Sequence, residues 1–291
     1  NYVLNNKTIL VEDSLKSLQE LALFHRKQFN IPFIAITGSN GKTTTRELIG
    51  TVLAGKYKTG TTAGNLNNHI GIPLTLLSIQ KDAEIAVIEM GANHIGEIKS
   101  YCNYTLPTHG LITNCGKAHL EGFGSIEGVR RGKGELFDFL RENGGTAFIN
   151  KEYDYLMEMS RGIQNLIFYG EDSAITGSII RNNPFIESSI NIMGDHTNIK
   201  TQLVGAYNLP NILAAVCVGN HFGVNPEIIK STLEAYFPSN SRSQLIEKGS
   251  NKIIMDAYNA NPGSMEIAIE NFTKLTAENK RMLLVPKGFA H

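Results

Sequence analysis

The sequence lacks a charge imbalance: 27 Lys+Arg stand against 27 Asp+Glu, for a formal net charge of zero and a pI near 7.2. That balance argues against a nucleic-acid-coating or membrane-surface protein, since both lean on excess positive charge. No apolar run reaches the ~18 residues of a membrane helix, and no basic-then-apolar leader opens the chain. Cysteine is scarce. Cys102, Cys115 and Cys217 are far apart, odd in number and form no CxxC pair, which excludes a disulfide scaffold or zinc site and suits a reducing cytoplasm. Internal repeats, low-complexity tracts and long charge runs are absent too. What is present is 42% hydrophobic residues, enough for a core, with 19% charged residues, too few for a solvated disordered chain. At roughly 150 residues per domain, the length predicts about two domains. The chain starts at Asn1 rather than Met and is read as part of something longer. A soluble, cytoplasmic, small-ligand protein is expected.

Short apolar runs recur between helix-like patterns, punctuated by Gly and Asn. Strands are predicted over 33–37, 85–90, 110–114, 146–150, 166–169, 252–257 and 282–285. Several are apolar throughout, as in strands covered on both faces of a parallel sheet. Helices are predicted over 15–28, 42–54, 125–143, 210–222, 226–236 and 264–277. Pro210 in a first turn and Gly223 just past the far end give one of them a clear start and stop. The alternation predicts an α/β fold. The stretch 175–203 differs: it is polar and alternating, as in Ser188-Ser189-Ile190-Asn191-Ile192-Met193, and predicts antiparallel hairpins appended to the main sheet. A Pro/Ser/Asn cluster, Phe237-Pro238-Ser239-Asn240-Ser241, marks a domain boundary. The roughly 50 residues after it hold a helix between two strands, too little for a complete core.

The residues with most chemistry are Thr37-Gly38-Ser39-Asn40-Gly41-Lys42-Thr43-Thr44-Thr45, between an apolar strand and a helix. In that context a Gly-rich turn aims backbone N–H groups at phosphate oxygens, and the helix N-terminus adds its positive end. Lys42 then reaches the β and γ phosphates and the Thr43 hydroxyl ligates Mg²⁺. The form is T-G-x-x-G-K-T, with Ile36 where the fuller G-x-x-x-x-G-K-[ST] pattern has its first Gly. A nucleoside triphosphate site is expected.

Three further residues draw notice. Glu89 ends the run Ile85-Ala86-Val87-Ile88, at the strand edge where open α/β sheets bind ligands, and beside a phosphate loop it suits Mg²⁺. His119 stands in the loop after Asn114, and its chemistry suits a second divalent ion and a surface residue equally. Lys133 continues the helical stripe of Ile126, Val129, Leu136, Phe137 and Leu140, so it points inward. Gly128, Gly132 and Gly134 surround it at a cost of roughly 1 kcal/mol each in helix propensity, as where another group must approach closely. Either the amine is buried, with a lowered pKa and a reactive neutral form, or the side chain snorkels past the stripe to water.

These residues resemble the Mur ligase family, ATP-dependent amide-bond ligases of bacterial cell-wall synthesis. The resemblance runs through seven ordered blocks, 37–45, 64–77, 89–97, 118–125, 132–135, 208–215 and 256–262, with Asn65-Leu66-Asn67-Asn68 and Tyr258-Asn259-Ala260-Asn261-Pro262 the most specific. It implies an α/β fold: a P-loop-type, mostly parallel sheet flanked by helices, an appended antiparallel hairpin region and the start of a Rossmann-like C-terminal domain. The implied limits are 1–30 for the end of a UDP-substrate domain, mostly absent, 31–237 for the central ATP-binding domain and 238–291 for an incomplete C-terminal ligase domain.

The resemblance also implies ATP and a pair of Mg²⁺ ions. Gly38, Ser39, Asn40, Gly41, Lys42, Thr43 and Thr44 would cradle the phosphates, and Thr43, Glu89 and His119 would hold metal. The lysine matching Lys133 is carbamylated by CO₂ in several members, placing an anion beside the metals. Asn208 and Asn211 match a region near the adenine, and Arg242 matches an arginine that reaches the phosphates across the domain boundary. Asp256, Tyr258 and Asn259 match the ATP face of the C-terminal domain, and the Asn65 and Asn68 segment flanks phosphate and acceptor. Lys42, Lys133 and His119 are the catalytic group so implied. The implied partners are UDP-N-acetylmuramoyl-tripeptide and D-alanyl-D-alanine, on a cytoplasmic monomer that binds neither nucleic acid nor membrane. The sequence departs from the family at Tyr207, where the pattern Gly-x-His-Asn has His, and in its last ten residues. Folylpolyglutamate synthase, with the same chemistry on a pterin substrate, is the alternative enzyme. A fragment that binds nucleotide without turnover is the non-catalytic alternative.

Overall fold

Phe33, Ile34, Ala35, Ile36 and Thr37 are all fully buried, which puts their strand inside a sheet covered on both faces. The computed structural model describes residues 8–117, 119–238, 242, 244–256, 262–275 and 280–285. Six parallel strands form the main sheet: β1 (Phe33–Thr37), β2 (Thr59–Thr61), β3 (Ile85–Glu89), β4 (His109–Ile112), β5 (Thr146–Asn150) and β6 (Asn165–Tyr169). Their order is β2-β3-β1-β4-β5-β6. From β1 the chain runs to the outer edge at β2, returns beside β1 as β3 and then passes to the other side as β4, so the loop after β1 opens at the point where the strand order reverses.

Side chains of β1 divide between two cores. Phe33 and Ala35 join a cluster formed with α1 (Ser14–Arg26), α3 (Gly71–Ser78), α4 (Glu97–Thr105) and α6 (Ile126–Glu142). Ile34 and Ile36 join one formed with α2 (Lys42–Ala54), α8 (Leu209–His221) and α9 (Pro226–Ala235). Two short helices, α5 (Leu120–Phe123) and α7 (Asp154–Met159), fill connections. Local sequence sets the starts: Asp13 accepts from the N–H groups of Leu15 and Lys16 to open α1, and Ser125 accepts from Gly128 N to open α6. Residues 211–219 of α8 are all buried, because that helix lies between the main sheet and a second sheet.

The second sheet is antiparallel: β7 (Ile175–Asn182), β8 (Phe185–Ile192) and β9 (Asp195–Val204). Along β8, Ile186, Ser188, Ile190 and Ile192 are buried and alternate with more exposed residues, as the polar alternation of this stretch predicts. Beyond α9 lie the hairpin of β10 (Gln244–Lys248) with β11 (Asn251–Met255), and the helix α10 (Pro262–Lys274).

Two sequence expectations are corrected. Residues 282–285 form no strand: they are exposed and have no regular structure, for an apolar run becomes a strand only beside a partner backbone. The strand expected over 110–114 ends at Ile112: Thr113 N still donates to Thr37 O at 2.9 Å, but its hydroxyl and the Asn114 side chain turn to the phosphate loop.

Candidate active site

The loop after β1 folds as a phosphate cradle requires. Gly41 sits at φ 80° as the N-cap of α2, and no side chain caps that helix, so its first-turn N–H groups stay open to an anion. A Cβ at Gly41 would lie 2.7 Å from Asn211 Oδ1, and one at Gly38 would fall 1.9 Å from Thr113 Oγ1. Neighbouring residues stiffen the loop: Ser39 N donates to Asn114 O at 2.9 Å, Asn40 N to Asn114 Oδ1 at 3.0 Å, and Thr113 Oγ1 to Asn40 O at 2.6 Å. Lys42 folds back, donating from Nζ to Gly38 O at 2.8 Å and Ser39 O at 3.2 Å. Burial lowers its pKa, opposed by the nearby Glu89 carboxylate and assisted by the charge of Arg242. Thr44 is buried in the same turn.

Glu89 lies in register with Ile36 of the neighbouring strand, which carries its carboxylate under the start of α2. It is 1% exposed, and its two oxygens have separate partners. Oε1 accepts from Thr43 Oγ1 at 3.1 Å and from Asn67 Nδ2 at 2.7 Å, while Oε2 faces Arg46 Nε at 3.5 Å. Asn67 is tied further by its carbonyl, which accepts from Gly91 N at 2.7 Å. Neither Asn67 nor Arg46 was singled out from sequence. Asn67 lies inside the Asn-Leu-Asn-Asn block, but nothing in that block says which Asn turns inward.

Lys133 is fully buried, so the snorkelling alternative does not hold. Its Nζ has no hydrogen-bond partner among the described residues and lies 5.2 Å from the Phe123 ring centroid. Burial and the charge of Lys42 lower its pKa to about 7, outweighing Cys115 and Glu97. The glycines around it admit Phe123: a Cβ at Gly128 would lie 1.9 Å from Phe123 O, and one at Gly132 2.5 Å from the ring. Glu135, two residues on, caps α4, accepting from Gly96 N at 2.5 Å and Lys99 N at 2.8 Å. His119 is exposed, in a left-handed turn (φ 55°) at the start of α5. Its pKa is lowered by partial burial and then by the charges of Lys42 and Lys133, against a smaller opposing effect of Glu97, so the three basic side chains share one region.

The remaining expected residues fall around this centre. Asn208 and Asn211 are buried and form a chain: Asn208 Nδ2 donates to Val204 O at 3.0 Å, Asn211 Nδ2 to Asn208 Oδ1 at 2.9 Å, and Thr45 Oγ1 to Asn211 Oδ1 at 3.0 Å. They brace α8 against the start of α2. Arg242 comes within electrostatic reach of Lys42 and Tyr236. Asp256 is exposed and accepts from the Tyr207 hydroxyl at 3.1 Å, so the residue that departs from the family pattern joins the main domain to the segment beyond it. Tyr258 and Asn259 lie outside the described residues.

The donor set suits a hard divalent cation. Thr43 and Glu89 offer oxygens, and among the described residues no cluster of three His, Cys, Asp or Glu could hold a metal alone. Such a pair fits an ion that takes a few protein oxygens and completes its shell with phosphate and water, as Mg²⁺ does.

A parallel α/β sheet with a phosphate loop at its order reversal belongs to the P-loop class of folds. Residues 36–219 match the Mur ligase middle domain. Over 290 residues, 97% of this chain and 61% of the relative, the sequence is 36% identical to the UDP-N-acetylmuramoyl-tripeptide–D-alanyl-D-alanine ligase of Bacillus subtilis. A crystal structure of MurF from Acinetobacter baumannii superposes with a TM-score of 0.86 at 32% identity, covering 92% of this chain and 60% of that one. MurF ligase from Thermotoga maritima, solved in complex with ADP, gives 0.83 at 28% identity, with coverages of 94% and 64%. The chain belongs to the Mur ligase family. It spans about three fifths of the length of the curated relatives it matches.

Proposed function

We propose that the protein is an ATP-dependent amide-bond ligase that joins D-alanyl-D-alanine to UDP-N-acetylmuramoyl-tripeptide in peptidoglycan synthesis. The observation that carries this reading is the contact of Thr43 with the buried Glu89 beneath the uncapped N-terminus of α2. The relatives named above carry the substrate assignment.

In this reading the polyphosphate of ATP lies along residues 38–44, and Lys42 leaves the carbonyls of Gly38 and Ser39 to meet the β and γ phosphates. The γ-phosphoryl group passes to the terminal carboxylate of the tripeptide, giving an acyl phosphate and ADP. The amine of D-alanyl-D-alanine attacks the acyl carbon, loses a proton, and the tetrahedral intermediate expels phosphate to leave the amide. Lys42 and Arg242 offset the charge that develops on the transferred group, the dominant contribution in such reactions. Thr43 and Glu89 would hold a Mg²⁺ ion, which neutralises phosphate charge when bound. Lys133 suits carbamylation: its pKa of about 7 supplies the neutral amine that adds to CO₂, with loss of a proton, and among the described residues its Nζ has no hydrogen bond to give up first. The carbamate and His119 would then hold a second ion.

The same reading assigns 1–30 to the end of a UDP-substrate domain, 31–237 to the central ATP-binding domain and 238–291 to the beginning of a C-terminal ligase domain, in a cytoplasmic monomer. No helix among the described residues is long and apolar enough to cross a membrane. The test is phosphate release by the full-length protein. It should require ATP, the UDP-linked tripeptide and D-alanyl-D-alanine together, and Lys42→Ala should abolish it. Release triggered by a folate in place of the nucleotide-linked peptide would transfer the protein to the folylpolyglutamate synthase reading. ATP binding with no substrate-dependent release would leave a nucleotide-binding protein only.

A further inference from the structure

Arg46 is 5% exposed and reaches three groups at once. Its Nε approaches Glu89 Oε2 at 3.5 Å, and its Nη2 donates to Glu47 Oε1 at 3.2 Å and to Gly64 O at 3.1 Å. The other oxygen of Glu47 accepts from the Tyr236 hydroxyl. Tyr236 follows the last residue of α9, where the backbone turns extended (φ −71°, ψ 126°) and the chain leaves toward the residues beyond 237. Three polar contacts thus connect the exit of α9 to the buried carboxylate at the end of β3.

The arrangement runs against the ordinary preference of its parts. A guanidinium next to a carboxylate favours a two-pronged contact that engages both oxygens. Here Glu47 draws Nη2 away, so Arg46 meets Glu89 through Nε alone and takes only Oε2. Oε1 is left to Thr43 and Asn67, on the phosphate-loop side. The pull holds only while Glu47 keeps its orientation, and the Tyr236 hydroxyl holds the oxygen that Arg46 does not use.

We propose that Tyr236, Glu47 and Arg46 form a positioning relay that keeps Oε1 of Glu89 clear of the guanidinium and turned toward Thr43, where a divalent cation would bind, and ties that oxygen to the point where the chain leaves α9. The relay rests on the phosphate-loop reading above, and none of its three members touches a reacting atom.

The test is binding of a fluorescent ADP analogue to the full-length protein, titrated with Mg²⁺ and repeated in EDTA. Tyr236→Phe and Glu47→Gln should each raise the Mg²⁺ concentration for half-maximal enhancement about fivefold, the order expected for one typical lost hydrogen bond acting at a distance, with binding in EDTA unchanged. Arg46→Lys, which keeps the charge and loses the fork, should do the same. An unshifted Mg²⁺ midpoint in Tyr236→Phe and Glu47→Gln would overturn the relay, and so would equal weakening with and without Mg²⁺, the mark of a merely structural role. If Tyr236→Phe fails to fold, Glu47→Gln and Arg46→Lys decide by the same readout. A wild-type protein that binds the analogue with no response to Mg²⁺ would sink the cation site itself, a failure distinct from that of the relay.

Discussion

Lys133 points its amine at the face of Phe123, 5.2 Å from the ring centroid, and finds no hydrogen bond among the described residues. A ring face favours the charged amine, whereas burial and Lys42 favour the neutral one. Burial prevails, since the pKa falls from 10.5 to about 7. The side chain is thereby held near even protonation at neutral pH, a state in which an added anion can be accommodated.

If that anion is a carbamate, Lys133→Ala should lower ligation by about 10²-fold or more, as loss of a preorganised electrostatic group does. A short carboxylate such as acetate should restore part of the rate by occupying the vacated space. Steady-state rates with and without added carboxylate decide it. Full activity in the alanine variant, or no restoration, counts against the carbamate.

Gly128 is required by the Phe123 carbonyl, which would lie 1.9 Å from any Cβ at that position. Gly128→Ala gains about 1 kcal/mol of helix propensity and loses more to the displaced backbone. Net destabilisation of about 1–3 kcal/mol is expected, typical of overpacking, and urea unfolding measures it. A stabilised variant would mean that the loop before α6 yields freely.

Glu89→Gln keeps the shape and removes the charge. It should cut the Mg²⁺-dependent part of nucleotide binding about tenfold or more, because Mg²⁺ takes carboxylate oxygens in preference to amide ones. It also leaves Arg46 buried beside a neutral partner, so stability should fall, by up to about 3 kcal/mol. Calorimetric binding and thermal unfolding read the two effects separately. Retention of the Mg²⁺ response would exclude Glu89 as a metal ligand.

Acid should weaken the fold through His109, at the start of β4. Its ring lies against Phe148, His221 and Phe222, with centroids 6.1, 5.4 and 5.1 Å away. Burial, with a smaller contribution from His221, lowers its pKa from 6.5 to about 4. Between those values the unfolded chain binds a proton that the folded protein does not. Stability from this group is therefore complete above about pH 6.5, declines as pH falls toward 4 and levels off below, for a total of up to about 3 kcal/mol. His221, lowered by its own burial, adds in the same direction. Urea midpoints at pH 7.5 and pH 5 should show the loss, and His109→Phe should flatten it. An unchanged slope in that variant would assign the effect elsewhere.

Much of this architecture was legible in order along the chain. The continuous apolar run of β1, the inward stripe that includes Lys133 and the alternation of β8 each follow from one local period, and each is found. Glu89 was legible because it closes an apolar strand. Contacts between distant segments were not. Arg46 and Glu47 carried no local sign, within a predicted helix, that Tyr236, some 190 residues on, is brought beside Glu47. The glycines around Lys133 announced a close approach but not that Phe123 makes it. Asn208 and Asn211 carried no local sign that they bond one another and Thr45. Residues 282–285 show the converse: an apolar run predicts a strand from composition, while pairing depends on what lies alongside.

The backward fold of Lys42 onto Gly38 and Ser39 also bears on selectivity. In the phosphate-loop reading proposed above, an entering anion competes with these two bonds for the ammonium. That competition would favour a triphosphate that also reaches the helix start and the Thr43–Glu89 pair over a lone orthophosphate or sulfate. Ligand length thereby becomes a criterion for admission before any base or sugar is inspected.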